Sequence, residues 1–245
     1  IHAGFREDPE RLDMALVVAD EPAAAAGVFT QNVFCAAPVQ ISRDHLNDGG
    51  PGAPRYGCAR AVIVNSGIAN AATGEPGREA ARTTAALVAD AVGCTEDEVL
   101  VASTGVIGVQ LDLGPFKTGI PAALAAATPA GGASAARAIM TTDTHPKECA
   151  VTFAGDEIGY PGITFTVGGM AKGSGMIMPN MATMISVLTT DAPIAAPDLA
   201  SALRRAVDAS FNKVTVDSDT STNDTCFALA STARRSADAR SGAAM

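Results

Sequence analysis

Short runs of β-forming residues alternate along this chain with alanine-rich segments of helical spacing, and this alternation constrains the fold more than any other feature. Strands are predicted at residues 14–18, 61–64, 99–102, 149–153, 163–167, 184–189 and 225–230. Helices are predicted between them at residues 77–92, 116–127, 133–140 and 197–210. Because interleaved strands and helices pack as layers, the sequence predicts an α/β fold. No linker-like segment divides residues 1–245, so a single domain is expected.

The composition argues against two classes of partner. The net charge of −9 disfavours nucleic acid, whose binding depends on the neutralisation of phosphates. No apolar run reaches the roughly 20 residues that cross a bilayer, so no membrane association is expected. The first residues are polar and carry charges of both signs, which does not resemble a signal peptide.

The cysteines and histidines indicate neither disulfides nor a metal site. The five cysteines are far apart and include no C-x-x-C pair. Their apolar surroundings predict buried free thiols in a reducing, cytoplasmic protein. The three histidines are scattered and form no metal-binding motif, so no metal is expected.

The acidic segment 217–225, DSDTSTNDT, begins like a calcium-binding loop. Its sixth position is Thr222 instead of glycine, and its twelfth is Ala228 instead of glutamate. Those changes remove the sharp turn and the bidentate ligand, so we favour a polar turn that hydrogen-bonds its own backbone. The nucleophile-elbow and phosphate-loop patterns are also absent, and His145, followed by Pro146, is better explained by a turn than by a catalytic triad.

The segment 169–191, GMAKGSGMIMPNMATMISVLTTD, places Thr183 between a glycine-rich stretch and a predicted strand. A threonine hydroxyl is a weak nucleophile, and one recurring solution cuts the chain before it so that the new α-amino group becomes its base. Glycine, proline and the small Ala182 would supply an adaptable backbone for that cut. An ordinary glycine-rich turn before a buried strand explains the same residues, and the pattern alone favours that interpretation.

Acyl transfer also needs hydrogen-bond donors for an oxyanion, and ASTGVIG at 102–108 offers them. A strand that ends in Thr104 and Gly105 can present a hydroxyl and a backbone N–H to a cleft. A plain exit from strand to loop is the alternative.

Five segments occur together in this chain: VNSGIANAATGEPG (64–77), ASTGVIG (102–108), AIMTTDTHPK (138–147), GGMAKGSGMIMPNMATM (168–184) and DSDTSTNDT (217–225). With GVFTQNVFCAAPV (27–39), they extend over nearly the whole chain. On these motifs the chain resembles the ornithine acetyltransferase family, the bifunctional glutamate N-acetyltransferases of arginine biosynthesis.

The resemblance implies a self-processing enzyme. Cleavage is expected between Ala182 and Thr183, giving an α chain of residues 1–182 and a β chain of residues 183–245. The expected fold is a layered αββα sandwich of the self-processing aminopeptidase and ornithine acetyltransferase type. The two halves are expected to stay together as αβ units and to associate as (αβ)2.

The resemblance also implies an activity and its residues. Thr183 would take an acetyl group from N-acetylornithine and pass it to glutamate by a ping-pong mechanism, through an acetyl-threonine intermediate. Thr104 and Gly105 would form the oxyanion hole, while Thr141 and Lys172 would contact the substrate. No bound cofactor is expected, and acetyl-CoA stays open as a second acetyl donor.

Two alternatives to this function stay open. Members of the family extend beyond both ends of this sequence, so we expect the chain to be shortened at its start and C-terminally incomplete. It could be a related N-terminal-threonine acyltransferase or amidohydrolase of a specialised pathway. It could also be an inactive truncated fragment.

Overall fold

The computed structural model describes residues 1–49, 54–178 and 184–231. Its strands are β1 (Met14–Phe29), β2 (Arg55–Ile68), β3 (Val99–Val106), β4 (Lys147–Ala154), β5 (Thr164–Lys172), β6 (Ile185–Thr190) and β7 (Thr225–Ala230). Its α-helices are α1 (Ala37–His45), α2 (Gly74–Val92), α3 (Gly114–Ala125), α4 (Gly132–Ala138) and α5 (Ala196–Ala209). Each predicted strand and helix overlaps one of these elements, whereas α1 was not predicted.

In these ranges the strands form one mixed sheet in the order β3-β2-β1-β7-β6-β5-β4. The pairs β2–β3 and β6–β7 are parallel, and the other neighbouring pairs are antiparallel. The long strand β1 joins the two parallel pairs, and its register shifts between Val18 and Ala23. The α/β class predicted from the sequence is confirmed.

Alternate residues of β7 pack against different layers, as the period of two in a strand requires. One face contacts the apolar side of α5, through Cys226, Ala228 and Ala230 with Leu199, Leu203 and Val207. The other face joins a separate cluster that reaches α4 and the loop after it, through Phe227 and Leu229 with Ile185, Val187, Ala136 and Ile139. The sheet is therefore covered on both faces near its centre.

Helix α2 ends where simple capping rules predict, although it begins at Gly74, three residues before its predicted start. Its buried face consists largely of small residues, which lets it lie close to α1, β2 and β3. It stops at Gly93, whose left-handed φ of 76° lets its N–H donate to the carbonyl of Ala89 at 2.8 Å. This confirms the predicted stop and fixes the approach to β3.

The opposite end of the sheet is much less covered. Strand β4 is an edge strand, and Val151 and Phe153, which lie on the same face of it, are both exposed. Cys149 on this strand and Cys58 on β2 are exposed, so the prediction that the thiols are buried is wrong for both. Apolar sequence neighbours do not bury a residue where no layer covers the strand. The cysteines are free, as predicted.

Among the described residues, none of the helices combines the length and the apolar character that a membrane crossing requires.

Candidate active site

The ends of β2 and β3 approach each other more closely than side chains would allow. Ser66 pairs with Thr104, and Gly67 with Gly105, in parallel register. Gly105 has a φ of 137°, and a Cβ built on it would lie 2.2 Å from the carbonyl carbon of Gly67. Glycine at position 105 is therefore a steric requirement, and it sets the position of the Thr104 backbone.

Asn223, which is distant in sequence from both strands, holds these strand ends together. It is buried, and its side-chain amide donates to the carbonyl of Ala69 at 2.7 Å and to that of Ser103 at 2.8 Å. Its own amide oxygen accepts from the hydroxyl of Thr222 at 2.6 Å. The end of the predicted polar turn is thus a buried connection to β2 and β3, a role that the local pattern did not reveal.

Lys172, the last residue of β5, brings together three of the residues expected to form the site. Its side chain is buried, and its Nζ donates to Oγ1 of Thr104 at 3.0 Å and to Oγ1 of Thr141 at 2.6 Å. Burial lowers the pKa of this ammonium group to about 8, against the opposing attraction of Asp143 and Asp224. The group therefore titrates near neutral pH and is mainly protonated at pH 7.

Asp143 fixes the segments that carry Thr141 and Lys172, and the sequence analysis did not single it out. Its carboxylate accepts the N–H of Gly173 at 2.8 Å and the N–H of Thr141 at 3.2 Å. The ammonium group of Lys147 donates to it at 2.5 Å. Burial alone would raise the pKa of Asp143, but these hydrogen bonds together with the charge of Lys172 hold it below its ordinary value.

A second buried carboxyl group, Asp224, contacts the chain directly after the predicted nucleophile. Its Oδ1 accepts the backbone N–H of Met184 at 2.8 Å. Burial raises its pKa to about 8, more than the N–H of Met184, the nearby hydroxyl of Ser221 and the charge of Lys172 lower it. Asp224 is therefore mainly protonated at pH 7, unlike Asp143.

A cavity of about 320 Å³ opens beside these groups. Thr104, Gly105 and Asn223 line its inner wall, and Met176 and Asp217 contribute to its outer wall. It is large enough for a small amino-acid derivative, and it has polar groups on both walls. Thr104 and Gly105 thus face a space in which an acyl group could bind.

Ala182 and Thr183, the predicted cleavage pair, lie outside the described residues. The structure does describe Met184, whose N–H is held by Asp224 and whose carbonyl accepts the N–H of Thr225 at 2.9 Å. The described residues contain no cluster of histidine, cysteine, aspartate or glutamate suited to a metal ion.

Comparison with known proteins places these residues in a family. The model of the ArgJ family matches residues 1–244. The arginine biosynthesis bifunctional protein ArgJ of Symbiobacterium thermophilum is 52% identical over 218 residues, which are 89% of this chain and 51% of that protein. The protein of the same name from Thermosynechococcus vestitus is 49% identical over 233 residues, 95% of this chain and 53% of its own. The chain thus spans about half the length of these curated relatives.

Solved structures agree with this assignment. A crystal structure of ArgJ from Bacillus halodurans matches with a TM-score of 0.62 and 38% identity, over 74% of this chain and 88% of that one. The ornithine acetyltransferase of Mycobacterium tuberculosis, solved in complex with ornithine, matches with a TM-score of 0.61 and 36% identity, over 76% of this chain and 90% of that one. The chain belongs to the ArgJ family.

Proposed function

We propose that this chain carries the acetyl-transfer site of a glutamate N-acetyltransferase, an enzyme that moves an acetyl group from N-acetylornithine to glutamate in arginine biosynthesis. The observation that carries this proposal is the Lys172 ammonium group, which joins the hydroxyls of Thr104 and Thr141 beside the cavity. Membership of the ArgJ family and similarity to an ornithine acetyltransferase solved with ornithine support it.

The proposed reaction begins with self-cleavage between Ala182 and Thr183. The hydroxyl oxygen of Thr183 attacks the carbonyl carbon of Ala182, the C–N bond breaks, and the nitrogen takes the proton that the hydroxyl loses. Breaking the C–N bond frees the α-amino group of Thr183. Water then hydrolyses the resulting ester, which restores the Thr183 hydroxyl and leaves a carboxylate on Ala182. Such an α-amine has a pKa of about 7.7–8.0 and can act as a base near neutral pH.

Acetyl transfer then proceeds in two matching halves. The Thr183 hydroxyl attacks the acetyl carbonyl of N-acetylornithine while the α-amine takes its proton, and ornithine leaves with that proton on its nitrogen. The amino group of glutamate attacks the acetyl-threonine in the same way, which restores the hydroxyl. Each half passes through a tetrahedral oxyanion, and we assign its stabilisation to hydrogen bonds from the Thr104 hydroxyl and the Gly105 N–H.

The hydrogen bond from Lys172 suits the Thr104 hydroxyl to that task. Because Oγ1 of Thr104 accepts from the ammonium group, its own hydrogen remains available to donate to an oxyanion. The ammonium group has three N–H donors, and two of them go to Thr104 and Thr141. We assign the third to the carboxylate of the bound amino acid.

Further parts of the proposal concern the setting of the enzyme. We place the reaction in the cytoplasm, with no bound cofactor. Acetyl-CoA stays open as a second acetyl donor. The cleaved halves would stay together as αβ units that pair as (αβ)2. These statements follow from the assignment to the ornithine acetyltransferases.

Intact mass spectrometry of the denatured protein tests the proposal first. The wild type should give two species that sum to the chain plus one water, the second beginning at Thr183. Thr183→Ala should stay uncut and transfer no acetyl group, whereas Thr128→Ala, at an exposed position between α3 and α4, should behave as the wild type. An uncut wild type would support the inactive fragment instead.

A substrate panel separates the remaining alternative. Acetyl transfer from N-acetylornithine to glutamate by the cleaved protein is the expected result. Hydrolysis of a different amide without that transfer would indicate a related amidohydrolase and overturn the proposed substrates.

A further inference from the structure

Asp224 is a buried acid that the proposed reaction does not yet use. It lies directly before β7, is fully buried, and its Oδ1 accepts the N–H of Met184 at 2.8 Å. The neighbouring Thr225 N–H donates to the carbonyl of Met184 at 2.9 Å. Residues 224 and 225 therefore hold both polar groups of the Met184 backbone.

Met184 matters because it directly follows Thr183 in the chain. The N–H that Asp224 binds belongs to the peptide group that joins these two residues. Elsewhere in β6, backbone hydrogen bonds to β5 and β7 fix the strand. At Met184 the Thr225 N–H holds the carbonyl, whereas the side chain of Asp224 provides the contact to the N–H, so the position of this N–H depends on one carboxyl group.

Asp224 is not simply the counter-ion of Lys172. The Lys172 ammonium group donates to two hydroxyls, and no hydrogen bond or ion pair joins it to Asp224 in the described part of the chain. Oδ2 of Asp224 is buried and has no hydrogen-bond partner of ordinary geometry among the described residues, although the Ser221 hydroxyl lies near the carboxyl group. Buried polar atoms normally have partners, so an unpaired one is a candidate for a role in function.

We propose that Asp224 is a positioning residue for self-cleavage and acetyl transfer, because its carboxyl group clamps the Met184 amide and so fixes the chain where it leaves Thr183. This inference rests on the proposed function. The Asp224 carboxyl group that holds the Met184 amide is mainly protonated at pH 7. Holding the amide therefore requires an acceptor oxygen at hydrogen-bond distance and does not require a negative charge. An asparagine carboxamide has the same shape and keeps the acceptor oxygen.

The test follows self-cleavage over time after cell-free synthesis, by intact mass spectrometry. Asp224→Ala should slow cleavage by about tenfold or more, because a reacting group displaced by about 1 Å can lose two orders of magnitude in rate. Asp224→Asn should restore cleavage to within about threefold of the wild type at pH 7. If Asp224→Ala does not fold, Asp224→Ser, which is too short to reach the amide, takes its place.

Ser42→Ala is the matched control for stability. Ser42 is fully buried, and its hydroxyl exchanges two hydrogen bonds of 2.8 Å with the Val101 backbone, far in sequence from Met184. It should lower the melting temperature without slowing cleavage, which separates positioning from general destabilisation.

Other outcomes overturn the inference. Cleavage at the wild-type rate in Asp224→Ala would remove the clamp from the mechanism while leaving the proposed function intact. A rate as low in Asp224→Asn as in Asp224→Ala would assign the role to the acid and not to positioning. An uncut wild type would instead reject the proposed function, and the inference with it.

Discussion

On each wall of the cavity, one polar side chain makes two hydrogen bonds to the backbone, but one of these side chains is buried and the other is exposed. On the inner wall, the buried Asn223 side chain donates to two backbone carbonyls, those of Ala69 and Ser103. On the outer wall, the exposed Asp217 carboxylate accepts two backbone N–H groups, those of Met176 at 2.5 Å and Ile177 at 2.7 Å. Water competes for the outer contacts but not for the inner ones.

This difference in burial suggests that the two walls have different functional roles. Oxyanion donors stabilise a transition state only if they are already in place, so they belong on a wall that cannot relax. A substrate must also enter and leave, which a wall of weaker contacts permits. We therefore expect substitutions on the inner wall to damage folding and chemistry, and those on the outer wall to change local motion.

Gly105→Ala should have the largest effect. Its new Cβ would meet the Gly67 carbonyl carbon at 2.2 Å and the Ile68 nitrogen at 2.6 Å, so β2 and β3 would have to separate. We expect a loss of at least about 3 kcal/mol, or a fall in Tm of roughly 6–12 °C, measured by thermal unfolding. On the outer wall, Gly175→Ala is the matched control, because its Cβ would lie 3.4 Å from Oδ2 of Asp217. Equal melting of the two variants would contradict the difference between the walls.

Asn223→Ala should come next. It leaves two buried carbonyls without their donor, and each such loss costs about 1–3 kcal/mol. Acetyl transfer should fall as well, because Ser103 directly precedes Thr104 in the proposed oxyanion hole. Asn32→Ala removes two exposed contacts, its amide's bond to the Thr220 carbonyl at 3.4 Å and the bond from the Phe34 N–H to its Oδ1 at 2.9 Å, and should leave melting nearly unchanged and transfer unchanged. Normal transfer by Asn223→Ala would show that the oxyanion site does not need this connection.

These contacts also show where sequence reasoning ends. Periodicity found the strands and four helices, because each carries its pattern within a few residues. It missed α1, which includes Ser42 and Asp44, two residues with weaker helix propensity than alanine. It interpreted 217–225 as a local turn, although Asn223 bonds residues 154 and 120 positions away. Local patterns contain no information about such distant partners.

The residues of the candidate site also fall into those that were predicted from the sequence and those that were not. Thr104, Thr141 and Lys172 were predicted from the resemblance, and the structure brings their side chains together. Asp143 and Asp224 were not predicted, since an acid reveals its burial and partners only in the folded chain. Thr183 stays a prediction, because it lies outside the described residues.

The pH dependence of glutamate binding should give a smaller, graded effect. Lys172 loses its proton around pH 8, so the KM for glutamate should rise about tenfold between pH 8 and pH 9.5 if Lys172 binds the carboxylate. Lys172→Met should have a high KM that does not share this rise. A KM that stays level across this range in the wild type would remove Lys172 from substrate binding.

The free energy of unfolding should rise with pH over the range in which glutamate binding weakens. The unfolded chain keeps the lysine proton up to about pH 10.5, whereas the folded chain loses it near pH 8. Between these values the unfolded state binds more protons, so the Lys172 contribution to the free energy of unfolding rises with pH. Urea unfolding of the wild type and of Lys172→Met at pH 7.5 and pH 10 isolates that contribution as the difference between their changes.

Asp217→Ala should have the smallest effect on melting, and it examines the outer wall alone. Removing the carboxylate frees the N–H groups of Met176 and Ile177, so their hydrogen exchange should accelerate while Tm stays within about 1 °C. Asp219→Asn, at an exposed position two residues further on, is the control and should leave both amides protected. These N–H groups lower the pKa of Asp217, so the protection should persist at pH 4 and weaken only under more acidic conditions. If Asp217→Ala melted as low as Asn223→Ala, the exposed and buried contacts would contribute equally to folding. Burial would then not explain the difference between the two walls.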